Sequence, residues 1–382
     1  MSAFFDLSEE ERMIQQTARE FAEAEIAPVA AENDARAHFP RDIVKKLGGL
    51  GFMGMIVPEM YGGSGLSNFC LVLALEEINR ICASTGITMS VQNSLVCSPI
   101  IKYASEELKE RYLPKLATGE WLGAYALSEA EAGTDAGSIQ ARGAKDGDEY
   151  VLNGTKSWIT TGADADVFIV MVKTDPAQRA KGISAFVVDR ETKGFSVGKK
   201  EDKLGLRASS TTELVFEDCR VPARHMLGRE GEGFKIALAT LDGGRIGVGI
   251  QAVGIARACL EASVAYAGER EQFGKKIGEF QAIQWKIADM ATQIDAARLM
   301  VYRASRLRDR DLPHTKEAAM AKLFASEVAN RAAREAVQIH GGAGYLKDFP
   351  VERYYRDARI TEIYEGTSEV QRIVVSRACL SD

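Results

Sequence analysis

Histidine is scarce. The 382 residues hold four, His38, His225, His314 and His340, with no HExxH and no close pair, so no dedicated metal site is expected. Six cysteines, Cys70, Cys82, Cys97, Cys219, Cys259 and Cys379, are scattered without a CxxC pair. That excludes a zinc framework or a disulfide scaffold and points to a reducing compartment. GxGxxG and GxxxxGK[ST] are both missing, which counts against a Rossmann dinucleotide site and a P-loop. GxSxG is missing too, and the few histidines offer no triad. No uninterrupted apolar run reaches the roughly 18 residues needed to span a bilayer, so no integral membrane association is expected. The stretch Met1 to Met13 carries Asp6, Glu9, Glu10 and Glu11, unlike a basic-then-apolar secretory signal or an Arg-rich transit peptide. The expected location is therefore cytoplasmic, or the mitochondrial matrix for a processed eukaryotic chain.

What is present is ordinary for a globular chain. Charged residues make up 27% and apolar residues 46%. Lys and Arg total 48 against 54 Asp and Glu, a net charge of -6, so a strongly basic nucleic-acid binder is not expected. At about 150 residues per domain the length predicts two to three domains. Glycine is in slight excess: 35 residues, about 9% against an average near 7%. These glycines cluster.

Helical patterns open the chain. Ser8 and Glu11 form a capping box, and Ile14, Ala18, Phe21 and Ala22 then share one face until Pro28, which should interrupt the segment. Leu71 to Ile78 and Glu106 to Leu116 are further helical runs, with the Gly-rich loop Pro58 to Gly65 before them. From Trp121 to about Pro222 strand signals take over. Tyr150 to Trp158 surrounds Asn153-Gly154, a hairpin cue, while Val167 to Val172, Ile183 to Val188 and Leu214 to Phe216 suit buried strands. After Gly233 the chain is helical again, notably Ile283 to Leu307 and Lys316 to Ile339. Helices, then strands, then helices disfavour a parallel doubly wound sheet.

The most informative segment runs from Arg356 to Arg372, with Ile363-Tyr364-Glu365-Gly366-Thr367-Ser368 at its centre. It reads as a helix end, a tight glycine turn and a new helix, for which Ser368 and Gln371 can form a capping box. Glu365 then sits in a loop just before a helix. By spacing alone it is either a solvated loop carboxylate or a base presented into a cleft.

This segment resembles the signature of the acyl-CoA dehydrogenases, and the resemblance covers essentially the whole chain. Further blocks follow in the family's order: Tyr125 to Asp135, Asn153 to Thr160, Lys203 to Arg207, Asp242 to Arg245, Arg270 to Gly274 and Gln338 to Gly342. Lys199 to Gly205, with Met89-Ser90-Val91 and Asn93-Ser94-Leu95, is most similar to the short-chain, butyryl-CoA type.

The resemblance implies an α+β multidomain fold. Its parts would be an N-terminal α-helical domain (1–120), a central antiparallel β-barrel or sandwich domain (121–232) and a C-terminal four-helix bundle (233–382). It implies FAD as cofactor, a homotetramer, and electron-transferring flavoprotein as redox partner. The implied reaction converts a short-chain acyl-CoA to its trans-2-enoyl-CoA. Glu365 would abstract the α-proton and the β-hydrogen would pass as hydride to flavin N5. Some members carry the base on the helix after the middle domain, where this chain has Gly244. Dehydrogenation of branched, dicarboxylic or cyclic acyl groups, or an oxidase reaction, is the alternative on the same fold.

Site residues follow by the same resemblance. Tyr125, Leu127, Ser128, Gly133 and Thr134 would meet the flavin edge, and Trp158, Ile159 and Thr160 its ring. Arg270, whose fork suits paired phosphate oxygens, would meet the FAD pyrophosphate, with Gln272, Phe273, Phe280 and Gln281 nearby. Gln338, Ile339, Gly341 and Gly342 would reach the FAD of a neighbouring subunit, with His340 in a structural or adenosine-side role. Thr367 and Glu369 would add FAD contacts. Thr134, Asp242, Arg245, Tyr364 and Gly366 would hold the thioester ligand. One departure stands out: Ala130-Glu131 replace the family's usual Pro-Gly after Ser128-Glu129, adding a charge near the channel.

Overall fold

The computed structural model describes residues 6–381; positions 1–5 of the acidic N-terminal stretch, and 382, lie outside it. Helix α1 (Glu9–Phe21) begins at the expected box: the Ser8 amide donates to Glu11 Oε2 at 2.9 Å, and the Glu11 amide to Ser8 Oγ at 3.2 Å. Pro28 does not interrupt the helix. A π turn (Ala22–Ile26) leads directly into α2 (Ala27–Arg36), whose first turn tolerates a proline lacking its N–H. Helices α3 (Arg41–Gly49), α4 (Asn68–Ile81), α5 (Ala83–Val91), α6 (Ser98–Tyr103) and α7 (Glu106–Ala117) complete this region. A second π turn, Gln92–Cys97, joins α5 to α6.

Eight strands follow: β1 (Gly123–Ala126), β2 (Arg142–Asp146), β3 (Glu149–Thr160), β4 (Val167–Lys173), β5 (Ile183–Asp189), β6 (Phe195–Lys200), β7 (Thr211–Pro222) and β8 (Met226–Leu227). Their order is β6-β7-β3-β2-β4-β5-β8, with β1 beside β4. The sheet is mixed and does not close, which corrects the antiparallel barrel or sandwich: β1 and β2 each pair with β4 in parallel. The chain enters β1 from a helix and is pinned there. Gln92 Oε1 accepts the Gly123 amide at 2.8 Å, and Leu122 O accepts the Asp166 amide at 2.7 Å.

Asn153-Gly154 is not a turn. It lies inside β3 at a bulge against β7, because Tyr150 and Leu152 carry the buried alternation straight through. A Cβ on Gly154 would sit 2.7 Å from Ala141 Cα, so the close approach explains the glycine. The hairpin instead turns at Gly147-Asp148, between the paired Asp146 and Glu149.

Helix α8 (Gly233–Glu269) is followed by a short hairpin, β9 (Glu271–Gln272) and β10 (Lys275–Lys276). Then come α9 (Gln281–Asp309), α10 (Thr315–His340), α11 (Val351–Ala358) and α12 (Ser368–Ser381). Helix α8 is long and apolar enough to cross a membrane by length and composition, although charged residues break its run; 67% of its most apolar window is buried inside the protein. It packs against α4, α5, α9 and α10, and α12 packs on α10. Residues of both helical regions share one large core, while the sheet has its own, built on Phe168, Phe186 and Phe216. Glu76 and Glu77 of α4 lie buried between the helices and are paired with Arg19, Arg257 and Arg298.

Candidate active site

The end of β1, the bulged end of β3, the start of α8 and the loop before α12 converge. They enclose a cavity of about 210 Å³ whose lining includes Leu95, Tyr125, Leu127, Ser128, Thr134, Arg245 and Glu365. Gly133, Ile159 and Gly366 also line it. A second cavity of about 330 Å³ adjoins it, walled by Ile87, Leu204, Leu206, Ile360 and Ile363. Trp158, Thr160 and Tyr364 line both. Trp158 thus lies at the join of the two cavities and not in the core of the sheet. A register shift between Lys156 and Ile159 gives it φ +59°, and its side chain remains 53% exposed.

Glu365 stands in the left-handed region at φ +52°, followed by Gly366 at +92°. Glycine takes such a φ freely, but a glutamate held there needs outside support. Lys322 Nζ donates to Gly366 O at 2.7 Å, and Gln371 Nε2 donates to the same oxygen at 2.8 Å. The helix cap falls one residue earlier than expected: Thr367 Oγ1 accepts the Val370 amide at 3.4 Å, Ser368 begins α12, and Gln371 serves the turn instead.

The Glu365 residue is partly open to the cavity, but its Oε2 is buried and has no hydrogen-bond partner. Burial pushes the carboxyl up to about 7, against the pull of Lys322 and then Arg245. Burial, and then the charge of Glu365, also raise the Tyr125 phenol. Tyr364 donates its hydroxyl to Gln251 Oε1, which fixes the residue before Glu365.

Gly244 explains where the carboxylate fits. A Cβ there would lie 1.9 Å from Glu365 Oε2. The missing side chain on α8 is the space that the carboxylate occupies. The clash is with the tip of a flexible side chain, so Gly244→Ala should fold normally yet displace the Glu365 carboxylate. The expected result is a loss of about 100-fold in turnover with an unchanged thermal melt; native turnover would refute it.

Sequence reasoning missed the groups behind the cavity. Lys156 is 0% exposed; its Nζ donates to Glu129 Oε1 at 2.7 Å and to Leu127 O at 3.0 Å. Glu129 also accepts the Gln140 and Ala141 amides. This pair ties the end of β1 to β3. Ala130-Glu131 form a turn closed by reciprocal Glu129–Ala132 backbone bonds, and the Glu131 side chain is exposed outside both cavities. Lys322 did carry a signal: it falls on the buried stripe Ala318, Ala321, Ala325, Ala329 of α10.

Other expected residues lie elsewhere. Asp242 bonds Arg245 Nη1 and Thr315 Oγ1, both at 2.6 Å, and does not line the cavities. Arg270, Gln272, Phe273, Phe280 and Gln281 belong to the β9–β10 hairpin and the start of α9; Phe273 is 94% exposed. Gln338, Gly341 and Gly342 are exposed at the end of α10, whereas Ile339 is buried. His340 is buried and stacked on Tyr266 with ring centroids 4.3 Å apart. Thr367 caps α12, and Glu369 is exposed in its first turn.

The residues present fit a planar, apolar-faced group with polar edges. An exposed indole joins two adjoining cavities, and the buried Glu365 Oε2, Arg245 Nε and Tyr125 hydroxyl have no partner. Comparison with known proteins points the same way. Three family models match: acyl-CoA dehydrogenase N-terminal domain over residues 8–120, middle domain over 124–219 and C-terminal domain over 231–380. The chain is 51% identical to the short-chain specific acyl-CoA dehydrogenase, mitochondrial, of Rattus norvegicus, over 97% of this chain and 90% of that one. It superimposes on butyryl-CoA dehydrogenase from Megasphaera elsdenii with TM-score 0.97 at 46% identity, covering 100% of both chains. A chain from structural work on the electron transferring flavoprotein of Acidaminococcus fermentans gives TM-score 0.98 at 50% identity, again over 100% of both.

Proposed function

The chain belongs to the acyl-CoA dehydrogenase family, and we propose that it dehydrogenates short-chain acyl-CoA thioesters, butyryl-CoA foremost, with Glu365 as the base. The observation that carries the assignment is Glu365 in the wall of an apolar cavity beside Trp158, with its buried Oε2 unpartnered. FAD, when bound, supplies the electron acceptor that takes up the β-hydrogen as hydride. Trp158, Ile159 and Thr160 would hold its ring, and Tyr125, Leu127, Ser128 and Gly133 its edge.

Glu365 would receive the α-proton on its carboxylate. The α-proton of a thioester is only weakly acidic, so two effects must close the gap. Leu95 and Leu127 exclude water and keep the carboxylate strongly basic. The Glu365 backbone N–H would hydrogen-bond the thioester oxygen and stabilise enolate charge as it develops. Thr134, Arg245, Tyr364 and Gly366 would hold the ligand, with Asp242 orienting Arg245.

Arg270, Gln272, Phe273, Phe280 and Gln281 would bind the distal half of FAD. Gln338, Ile339, Gly341 and Gly342 would serve a neighbouring subunit of a homotetramer, and Thr367 and Glu369 would add cofactor contacts. The exposure of Phe273 and Tyr345 supports assembly. Domain boundaries near 120 and 232 fit the change from helix to strand and back. Electrons would leave to an electron-transferring flavoprotein, consistent with the Acidaminococcus likeness.

The test is to record the visible flavin spectrum of the purified holoenzyme under anaerobic conditions with butyryl-CoA. Bleaching is expected. Its rate should rise with pH and level off above about 7, because the raised carboxyl must be ionised to accept the proton. Absence of bound flavin, or no bleaching with any short acyl-CoA, would refute the reading. Fast reoxidation of the product-bound enzyme by oxygen would make it an oxidase instead.

A further inference from the structure

We infer that Lys322 is the positioning residue for Glu365: its ammonium clamps the left-handed Glu365–Gly366 turn and presents a positive charge to the carboxylate. The inference rests on the assignment of Glu365 as the base.

Lys322 stands where a small apolar residue would pack. Its neighbours on the stripe, Ala318, Ala321, Ala325 and Ala329, are all 0% exposed, and so is Lys322. An ammonium so deeply buried is costly and needs a compensating role. Its hydrogen bond goes to a neutral acceptor, Gly366 O at 2.7 Å, and not to a carboxylate. The charged groups that face it come from four directions: Glu365 in the turn, Glu362 before the turn and Glu369 on α12 attract it, while Arg245 on α8 repels it. Around Glu365 the facing groups are Lys322, Arg245 and the phenols of Tyr125 and Tyr364.

Two consequences follow from one contact. Mechanically, Lys322 and Gln371 share the Gly366 carbonyl and hold two adjacent positive-φ residues in place. That keeps Oε2 over Gly244, where there is room for it. Electrostatically, a buried cation favours the ionised carboxylate and so offsets part of the effect of burial. Burial lowers the Lys322 ammonium to about 8, so it carries its charge across the acid limb, and the α-proton goes to Glu365 alone.

The experiment compares Lys322→Met and Gln371→Leu with the wild-type holoenzyme. In Lys322→Met the acid limb of the flavin-reduction rate should move to higher pH by about half a unit or more, because a carboxylate that loses a nearby cation holds its proton more tightly. The plateau rate should fall about tenfold or more, and KM should stay within about threefold, since Lys322 lines neither cavity. Gln371→Leu removes the second donor but leaves the charge, so it should lower the rate without moving the limb.

A readout free of turnover is the infrared band of the protonated Glu365 carboxyl, identified by its loss in Glu365→Gln. It should persist to higher pH in Lys322→Met. Should Lys322→Met fail to fold, Lys322→Arg keeps the charge and should keep the wild-type limb. An unmoved limb and band in Lys322→Met, or a loss of activity carried wholly by KM, would overturn the inference. Failure of the base assignment would look different: Glu365→Gln would then bleach flavin at the native rate.

Discussion

Glu365→Gln is expected to bind butyryl-CoA with near-native affinity and to reduce flavin about 10⁴-fold more slowly, the upper end for loss of a general base. The size follows from the surroundings. No second carboxylate can substitute, because the facing position on α8 is Gly244, and the carboxylate already fills its space. Glutamine keeps the shape and burial of the side chain, so the left-handed turn and its two carbonyl bonds should persist. Only the proton acceptor is lost. Single-turnover flavin reduction separates this from a binding defect, because a mutation acting in the transition state lowers kcat and kcat/KM together. Native-rate bleaching would remove Glu365 from the mechanism.

Lys156→Met is expected to destabilise the protein by about 3–5 kcal/mol, as for other buried pairs that lose one partner. Lys156 and Glu129 side chains are 0% and 8% exposed, so water cannot replace the lost ammonium. Burial lowers the Lys156 ammonium to about 8, against the pull of Glu129. The charged form is thus held at a cost, and stability should rise with pH from about 8 towards 10.5, the window in which the folded lysine alone has released its proton. That rise should vanish in the variant. The double variant Lys156→Met/Glu129→Gln should recover more than half of the loss, since it leaves no unpaired charge. Urea unfolding measures both effects, and equal stability of Lys156→Met and wild type would refute the argument. The damage should also reach the site, because Lys156 holds the Leu127 carbonyl at the cavity wall.

These predictions divide along a physical line. Amphipathic stretches and apolar runs report burial that is local in the chain, so the succession of helices, strands and helices was readable from periodicity. The capping box at Ser8 was readable for the same reason, since all of its partners lie within four residues. Asn153-Gly154 misled because dipeptide preference is weaker than the burial of Tyr150 and Leu152, which keeps β3 continuous. Pro28 misled because it falls in the first turn of α2, where a missing N–H is tolerated.

Within the site, Glu365 was legible through its place before Gly366 and the family signature around it. Lys156 and Lys322 were not singled out, because lysine is normally a solvated residue and its burial depends on what packs over it. By itself, then, the sequence determined the order of elements, the absence of metal, thiol and Rossmann-type motifs, and the loop that carries Glu365. The tertiary structure decided that β1 lies parallel to β4, that α8 leaves a gap at Gly244 for a carboxylate, and that two buried ammonium groups support the walls. Each of these joins residues far apart in the chain. Their energies come from desolvation and close contact, which no local pattern of residues records.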